Sequence, residues 1–491
     1  MKALLIYPEF PDTFWSFKHA LKFISKKATY PPLGLLTVAA LLPLKWPKRL
    51  IDLNVTNLTE TDLLWADCAF ISAMHVQKGS ARNVISRCKT AGLTVIAGGP
   101  LFTSEHEEFE EVDHFVLNEA ELTLQPFLKD LEQGCARQLY KTSSFADVRK
   151  TPAPLWELAD LRQYACMSVQ SSRGCPFNCD FCNVTALYGH RPRVKSEKQV
   201  VYELDNLYNL GWRSQIFFVD DNFISNKTYL KTRLLPALIH WKKHKNGISF
   251  NTQATVDLAD DELLMAMMVE AGFDTAFIGI ETTDEDSLAE CNKRQNKNRD
   301  LLESVKRIQR AGIQVQGGFI VGFDTDKRSV FQHQIDFIQN SGIVTAMVGL
   351  LQAPTGTRLY ERLKKQGRLI GKMSGNTDGT TNFIPKMGLD VLCEGYREIL
   401  RYIYSPKHYY QRVKTFLREY DRLKMEVPLD CQRFLAVFRS IIRLGIFGKE
   451  RFRYWEILLW TLVLHPKLIP LAVTLTIYGH HFRKHCESRI S

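Results

Sequence analysis

The chain lacks any run of about 18 uninterrupted apolar residues, the length a membrane-spanning helix requires. Two apolar stretches near its end, Tyr454 to Leu464 and Leu468 to Tyr478, are split by His465-Pro-Lys467 and Pro470. A secretory leader is not expected either. The opening Met-Lys-Ala-Leu-Leu-Ile-Tyr reaches Pro8, Glu9 and Pro11 before its apolar stretch is long enough, so the amino terminus is expected to begin the fold itself. Eleven cysteines in 491 residues, mostly dispersed as at Cys68, Cys88, Cys135, Cys291 and Cys393, do not make a disulfide framework and point to a reducing, cytoplasmic setting.

Three cysteines do cluster. Cys175, Cys179 and Cys182 stand at C-x3-C-x2-C spacing straight after a strand-like segment, with Phe181 just before the third. A four-iron cluster is normally held by four thiolates, so a triad without a nearby fourth leaves one iron open to a small molecule. The alternative is zinc. A structural zinc site takes four ligands, usually as paired C-x2-C and H-x3-H units, and His190 is the one local partner.

Length suggests two or three domains. The net charge of +11 is uneven: residues 386–491 hold 19 Lys and Arg against 10 Asp and Glu, or +9. The basic character therefore belongs to the tail. From residue 1 to 140 strands are predicted at Ala3 to Tyr7, Lys48 to Leu53, Cys68 to Ser72, Thr94 to Ala97 and His114 to Leu117, with helices at Leu33 to Leu42, Ser80 to Ala91 and Leu122 to Leu131. Such alternation implies an α/β fold with a doubly wound parallel sheet that binds ligands at the carboxyl ends of its strands.

Residues 141–165, with Pro152 and Pro154, read as a linker. A second alternation follows over 166–384. Strands at Met167 to Ser171, Gln215 to Val219, Ile248 to Gln253, Thr275 to Ile280, Val315 to Val321 and Ala346 to Leu351, each with a helix-like stretch behind it, predict a partial, six-strand TIM-type barrel. In barrels the active site gathers at the strands' carboxyl ends, and the cysteine loop follows the first strand.

Four more motifs occupy such ends. Asp220 and Asp221 follow the second strand and offer acceptors to an ammonium group; an N-cap before Ser225 is the other reading of the pair. Glu281 closes Phe277-Ile-Gly-Ile-Glu281. Gly317 and Gly318 lie in Gln316-Gly-Gly-Phe-Ile-Val-Gly-Phe-Asp324, and Leu351-Gln-Ala-Pro-Thr-Gly-Thr357 ends the series.

The triad and this order of motifs resemble the radical S-adenosylmethionine (radical SAM) superfamily. The resemblance implies a [4Fe-4S] cluster on Cys175, Cys179 and Cys182, with SAM chelating the open iron and cleaved to a 5′-deoxyadenosyl radical. It places Phe181 beside the cluster, Asp220 and Asp221 at the methionine amino group, Glu281 at the ribose or the methionine end, and Gly317 and Gly318 beside adenine. Tyr188, His190, Arg191 and Arg193 are substrate candidates by proximity alone.

The first 140 residues are similar to the cobalamin-binding domain that precedes many radical SAM barrels. The resemblance rests on Tyr30-Pro-Pro-Leu-Gly-Leu-Leu, Ser72-Ala-Met-His-Val-Gln-Lys-Gly79, Ala97-Gly-Gly-Pro100 and Leu117-Asn-Glu-Ala-Glu121. It implies cobalamin contacts from Ser72, Met74, Gly98, Gly99, Pro100 and Glu119. Where histidine-ligating relatives carry D-x-H-x-x-G, this chain reads Glu-Phe-Pro-Asp-Thr-Phe-Trp-Ser, so the implied cobalamin is base-off without a histidine ligand. His75 follows a different strand and reads as a loop residue. A flavodoxin-like domain without cofactor is the alternative.

Residues 385–491 resemble the helical extension of a subset that includes hopanoid methylases. Tyr402, Tyr404, Tyr409, Tyr410 and Phe416 sit among Lys407, Arg412, Lys414 and Arg418. Basic, Trp-bearing apolar helices suit a bilayer interface or a cap on the open barrel. Nucleic acid is not the expected partner, because the tail is apolar and helical.

The resemblance as a whole implies a cobalamin-dependent methyltransferase acting on an unactivated carbon of a hydrophobic, lipid or isoprenoid-like substrate, fed by an external flavodoxin- or ferredoxin-type donor. Ring formation, coupling or rearrangement with the same cofactors is one alternative. A cluster- and cobalamin-binding sensor or electron-transfer protein without turnover is another.

Overall fold

Ala3–Tyr7 (β1) is apolar along its whole length, the pattern of a strand covered on both faces. Its side chains alternate accordingly. Leu4 and Ile6 enter a core with Ala69, Ile71, Val95 and Phe115, while Ala3 and Leu5 enter a second one with Phe70, Ile96 and Phe127. Around it lie Lys48–Asp52 (β2), Cys68–Ser72 (β3), Thr94–Gly98 (β4), His114–Val116 (β5) and Leu139–Tyr140 (β6). The order is β2-β1-β3-β4-β5-β6, all parallel. This is a doubly wound sheet whose direction of winding switches between β1 and β3.

The computed structural model describes residues 1–375, 379–420 and 431–490. The chain divides into two units. Met1–Pro11, Lys27–Cys175 and Val184–Trp212 form the first; Asp12–Lys26, Pro176–Asn183 and Arg213–Ser491 form the second. The units are discontinuous in sequence, whereas the expected domains follow one another along the chain.

In the first unit the helices Lys78–Thr90 and Ala120–Glu132 bury Ala81, Val84, Ile85 and Cys88, and Thr123, Leu124, Phe127 and Leu128, each a helical stripe three or four residues apart. β6 was not expected, since two residues carry no readable period; its register, Phe115 with Leu139 and Val116 with Tyr140, comes from pairing with β5. The unit also holds Met167–Val169 (β7), two residues shorter than expected, and the antiparallel pair Ser172–Arg173 (β8) and Arg193–Val194 (β9).

The second unit contains the other five expected barrel strands: Gln215–Phe218 (β10), Ser249–Ala254 (β11), Phe273–Glu281 (β12), Gln314–Val321 (β13) and Ala346–Leu350 (β14). They are parallel and in sequence order across the sheet. Phe218, Phe223, Phe250 and Phe273 pack ring against ring under one end, with centroids 4.8–5.5 Å apart.

The tail is built into this unit. Gly395 admits the Phe331 ring between the helices Leu389–Ile403 and Ser329–Ser341. Tyr404 donates its hydroxyl to Ala346 O (2.7 Å) and Tyr409 donates to Leu475 O (2.6 Å). Tyr404, Tyr409, Tyr410 and Phe416 are buried and Arg412 is fully enclosed, whereas Tyr402 remains exposed. The aromatic residues of this stretch are thus mainly core, whereas of its cations Lys407, Arg412, Lys414 and Arg418 only Arg412 is buried. Among the described residues no helix is long and apolar enough to cross a membrane.

Candidate functional site

The cysteine segment begins in the first unit. Gly174 has φ +94°, and a Cβ there would meet the carbonyl oxygens of Arg191, Gly189 and Tyr188 at 2.8–3.1 Å, so only glycine fits. The Cys175 amide donates to Gly189 O at 3.3 Å. Tyr188, His190, Arg191 and Arg193 are brought beside Cys175 by this turn and by β9. The guanidinium of Arg193 is committed elsewhere: it holds both oxygens of Glu119, at 2.7 and 2.8 Å.

Pro176 to Asn183 belong to the second unit. The Cys182 amide donates to Cys179 O (3.2 Å), Asp180 N to Cys291 O (3.0 Å), and Leu359 N to Asp180 O (3.0 Å). Asn292 Nδ2 donates to Asn178 O at 2.8 Å, and Gln295 Nε2 approaches Cys179 Sγ at 3.7 Å. All three thiols are half-buried. Phe181 stands edge to face with Phe323, centroids 6.3 Å apart.

Burial pushes the Cys179 thiol up, and the Lys293 ammonium draws it partly back. Burial likewise pulls Lys293 down, but Glu281, with Cys179 and Cys182, outweighs it, so Lys293 stays charged. Sequence reasoning missed Lys293 and Gln295. Their only signal was a position shortly after Glu281, in a stretch with no motif of its own.

Among the described residues no group of three or more His, Cys, Asp or Glu side chains is gathered as metal donors. The donor set nevertheless fits a cluster in kind. It is three soft thiols, and for two of them, Cys179 and Cys182, a buried cation, Lys293, favours the ionised form; the buried Gln295 Oε1 has no partner.

The strand ends carry the remaining expected residues. Asp220 is fully buried and Asp221 half-buried. Neither caps the following turn; the N-cap is Asn222. Asn222 is buried, donates Nδ2 to Thr255 Oγ1 at 3.3 Å and keeps an unpartnered Oδ1, an acceptor next to the acidic pair in sequence. Glu281 has φ +63° at a register shift in β12. Gln334 Nε2 on its carbonyl (2.9 Å) and Asn296 Nδ2 on Gly279 O and Ile280 O (3.1 and 2.9 Å) hold that conformation. Its carboxylate is engaged by Lys293 at 2.7 Å.

The glycines of β13 have an internal reason. A Cβ on Gly318 would meet the Phe277 ring at 2.7 Å, and one on Gly317 would meet Phe319 at 2.7 Å and Ile343 at 3.1 Å. They make room for the protein's own side chains. Trp15, also unforeseen, lies against the same ring, 5.4 Å centroid to centroid and edge to face, with Nε1 3.0 Å from Met347 Sδ.

In the first unit Ser72, Met74, Gly98, Gly99 and Pro100 line the carboxyl ends of β3 and β4, neighbouring strands beside the switch point. Met74 is exposed. Gly99 has φ +87°, and a Cβ there would lie 2.6 Å from Ser72 Oγ. An open strand end with an exposed thioether and a glycine turn fits a broad flat group. Glu119 is placed differently: buried, it binds Arg193 and Arg173 and accepts the Ala146 amide. His75 is lowered by burial and lies 3.8 Å from Glu105.

Residues 169–338 match the radical SAM superfamily, and residues 357–491 match a domain of unknown function, DUF4070. An uncharacterized methyltransferase of Synechocystis sp. is 40% identical over 99% of this chain and 92% of its own. The hopanoid C-2 methylase of Rhodopseudomonas palustris is 32% identical over 94% of this chain and 89% of its own. Two solved structures share the fold. They are the cobalamin-dependent radical SAM enzyme OxsB (TM-score 0.63, 15% identity, 100% of this chain and 84% of the other) and the radical SAM methyltransferase TsrM of Kitasatospora setae (0.59, 13%, 93% and 98%). With residues 169–338 matched by the superfamily and nearly its whole length by these relatives, the chain belongs to the radical SAM methyltransferase family that includes hopanoid C-2 methylase.

Proposed function

We propose that this enzyme transfers a methyl group to an unactivated carbon of a hydrophobic, lipid or isoprenoid-like substrate, with a [4Fe-4S] cluster, SAM and base-off cobalamin as its cofactors. The observation that carries the reading is the near full-length match to a hopanoid methylase, which covers 94% of this chain. When bound, these groups supply hydrogen-atom abstraction and a transferable methyl.

The chain's own residues do the rest. Cys175, Cys179 and Cys182 hold the cluster, and Lys293 and Gln295 steady Cys179. Asp220, Asp221 and the free Asn222 Oδ1 receive a cationic ammonium group. Glu281 acts through Lys293, which it keeps charged and fixed. Ser72, Met74, Gly98, Gly99 and Pro100 receive cobalamin without a histidine on the metal, while Glu119 positions Arg193. An external flavodoxin- or ferredoxin-type protein delivers the electron. The carboxy-terminal helices carry the peripheral lipid contact of this reading.

Anaerobic reconstitution with iron, sulfide and hydroxocobalamin, followed by gel filtration, tests the cofactors. Cobalamin is expected to stay with the protein, and its loss removes that assignment. Incubation with SAM, reductant and a polycyclic isoprenoid is expected to give 5′-deoxyadenosine and a product heavier by one CH2. Turnover without that added mass means ring formation or rearrangement; no 5′-deoxyadenosine at all means a sensor.

A further inference from the structure

The helix Arg451–Leu464 buries Tyr454, Ile457 and Thr461 completely, a stripe spaced i, i+3, i+7. At about 100° per residue the opposite side carries Phe452, Trp455, Leu459, Leu462 and Val463, spaced i, i+3, i+7, i+10 and i+11. A surface helix normally turns polar residues outward on that side. Here Phe452 is 77% exposed, Leu459 57%, Leu462 55% and Val463 77%. The preceding segment repeats the pattern, with Phe434 69%, Phe438 54% and Phe447 80% exposed. The two segments are tied together: Trp455 Nε1 donates to Gly445 O at 3.0 Å, and Tyr454 and Ser440 hydroxyls meet at 2.8 Å.

Charge selects the occupant. From Phe434 to Pro470 stand Arg439, Arg443, Lys449, Arg451, Arg453 and Lys467 against only Glu450 and Glu456; with Arg453 paired to Glu456 and Arg439 donating to Phe23 O, the cations left to the surface are Arg443, Lys449, Arg451 and Lys467. Both acids are already engaged, Glu450 by Arg483 (2.6 Å) and Glu456 by Lys414 and Arg453 (2.7 Å each). A second copy of the chain would set this basic face against itself, whereas an anionic surface neutralises it. The Arg451 guanidinium lies over the Phe452 ring at 5.1 Å, so cation and apolar ring are presented together, as interfacial helices present them.

We propose that the side bearing Phe434, Phe438, Phe447, Phe452, Leu459 and Val463 docks in the interface of an anionic lipid bilayer. This rests on the hydrophobic-substrate reading for its use, since a substrate dissolved in lipid is met there, but not for its physics.

The test is co-sedimentation of the full-length protein, with and without reconstituted cofactors, on phosphatidylcholine vesicles lacking or containing phosphatidylglycerol. Binding is expected to be about tenfold tighter or more with phosphatidylglycerol present, with a blue shift of Trp fluorescence. The variant F447S/F452S/L459S is expected to lose about tenfold or more while keeping its circular dichroism spectrum. K449S/R451S/K467S is expected to lose the phosphatidylglycerol preference, which tests the proposal even if the first variant misfolds. Wild type left in the supernatant with both vesicles overturns the proposal. So does a wild-type dimer by analytical ultracentrifugation that the apolar variant abolishes. Because binding is read without turnover, methylation without binding sinks only this proposal, and binding without methylation sinks only the assigned reaction.

Discussion

Lys293 Nζ lies 2.7 Å from Glu281 Oε1, and both side chains are buried. The pair ties the left-handed end of β12 to the segment that carries Gln295 to Cys179. Gly279 is part of the arrangement, because a Cβ there would lie 2.9 Å from Lys293 Nζ and closer still to Glu281 Oε1. A strained residue held by surrounding bonds is the usual condition of a backbone that positions chemistry.

Lys293→Met removes one partner of this pair and leaves a carboxylate buried alone. The expected loss is about 3–5 kcal/mol of unfolding free energy, read by urea denaturation of the cofactor-free protein. The double variant Lys293→Met/Glu281→Gln is expected to recover most of it; a single variant as stable as wild type would show that the pair does not hold the loop.

Gly318→Ala drives a methyl into the Phe277 ring. Overpacking of this kind costs about 1–3 kcal/mol, expected as a lower melting temperature. Phe277→Leu in the same chain frees the space and is expected to restore it. An unchanged melting temperature in the single variant would show that the ring can move aside.

Asp326 gives a pH dependence with a definite sign. Burial raises its carboxyl from 3.8 to about 6, although Gly322 N, Ser287 and Phe323 N bond to it. The folded chain holds this proton more tightly than the unfolded chain. The associated stability is therefore complete below about pH 4 and is lost as pH rises through about 6, by about 3 kcal/mol at most. Asp326→Asn is expected to abolish that slope, measured as the pH dependence of wild-type minus variant stability from pH 4 to 7.

Glu119→Ala and Met74→Ala separate a structural from a ligand-facing role. Glu119 is buried and pairs with the half-buried guanidinium of Arg193, and more distantly with that of Arg173, so its removal is expected to destabilise the cofactor-free protein by about 3 kcal/mol. Met74 is exposed, and its truncation is expected to leave stability within about 0.5 kcal/mol while weakening cobalamin retention on gel filtration. Equal melting temperatures for wild type and Glu119→Ala would contradict the structural assignment.

Most strands were legible because each is a local apolar run. Ala3 to Tyr7 and Cys68 to Ser72 match to the residue, and the barrel strands differ by one to three residues at their ends. Leu139–Tyr140 was not legible, since a two-residue strand exists only through its neighbour. Gly317 and Gly318 were visible as glycines but not in purpose: the side chains that fill their space come from Phe277, Phe319 and Ile343. Glu119 shows the same limit, with its principal partner Arg193 lying 74 residues away.

By itself the sequence determined what short-range spacing can encode. That covers the thiol triad, the alternation of strands and helices, and the order of polar and glycine-rich strand ends, because all of these follow from bond geometry and periodicity within a few residues. Only the tertiary structure decided which charges are matched and which apolar faces are covered. Apart from Glu456 and Thr461 the run Tyr454 to Leu464 reads as apolar, yet packing hides Tyr454, Ile457 and Thr461 and leaves Leu459, Leu462 and Val463 in solvent. Burial is a property of what lies opposite, and what lies opposite comes from elsewhere in the chain.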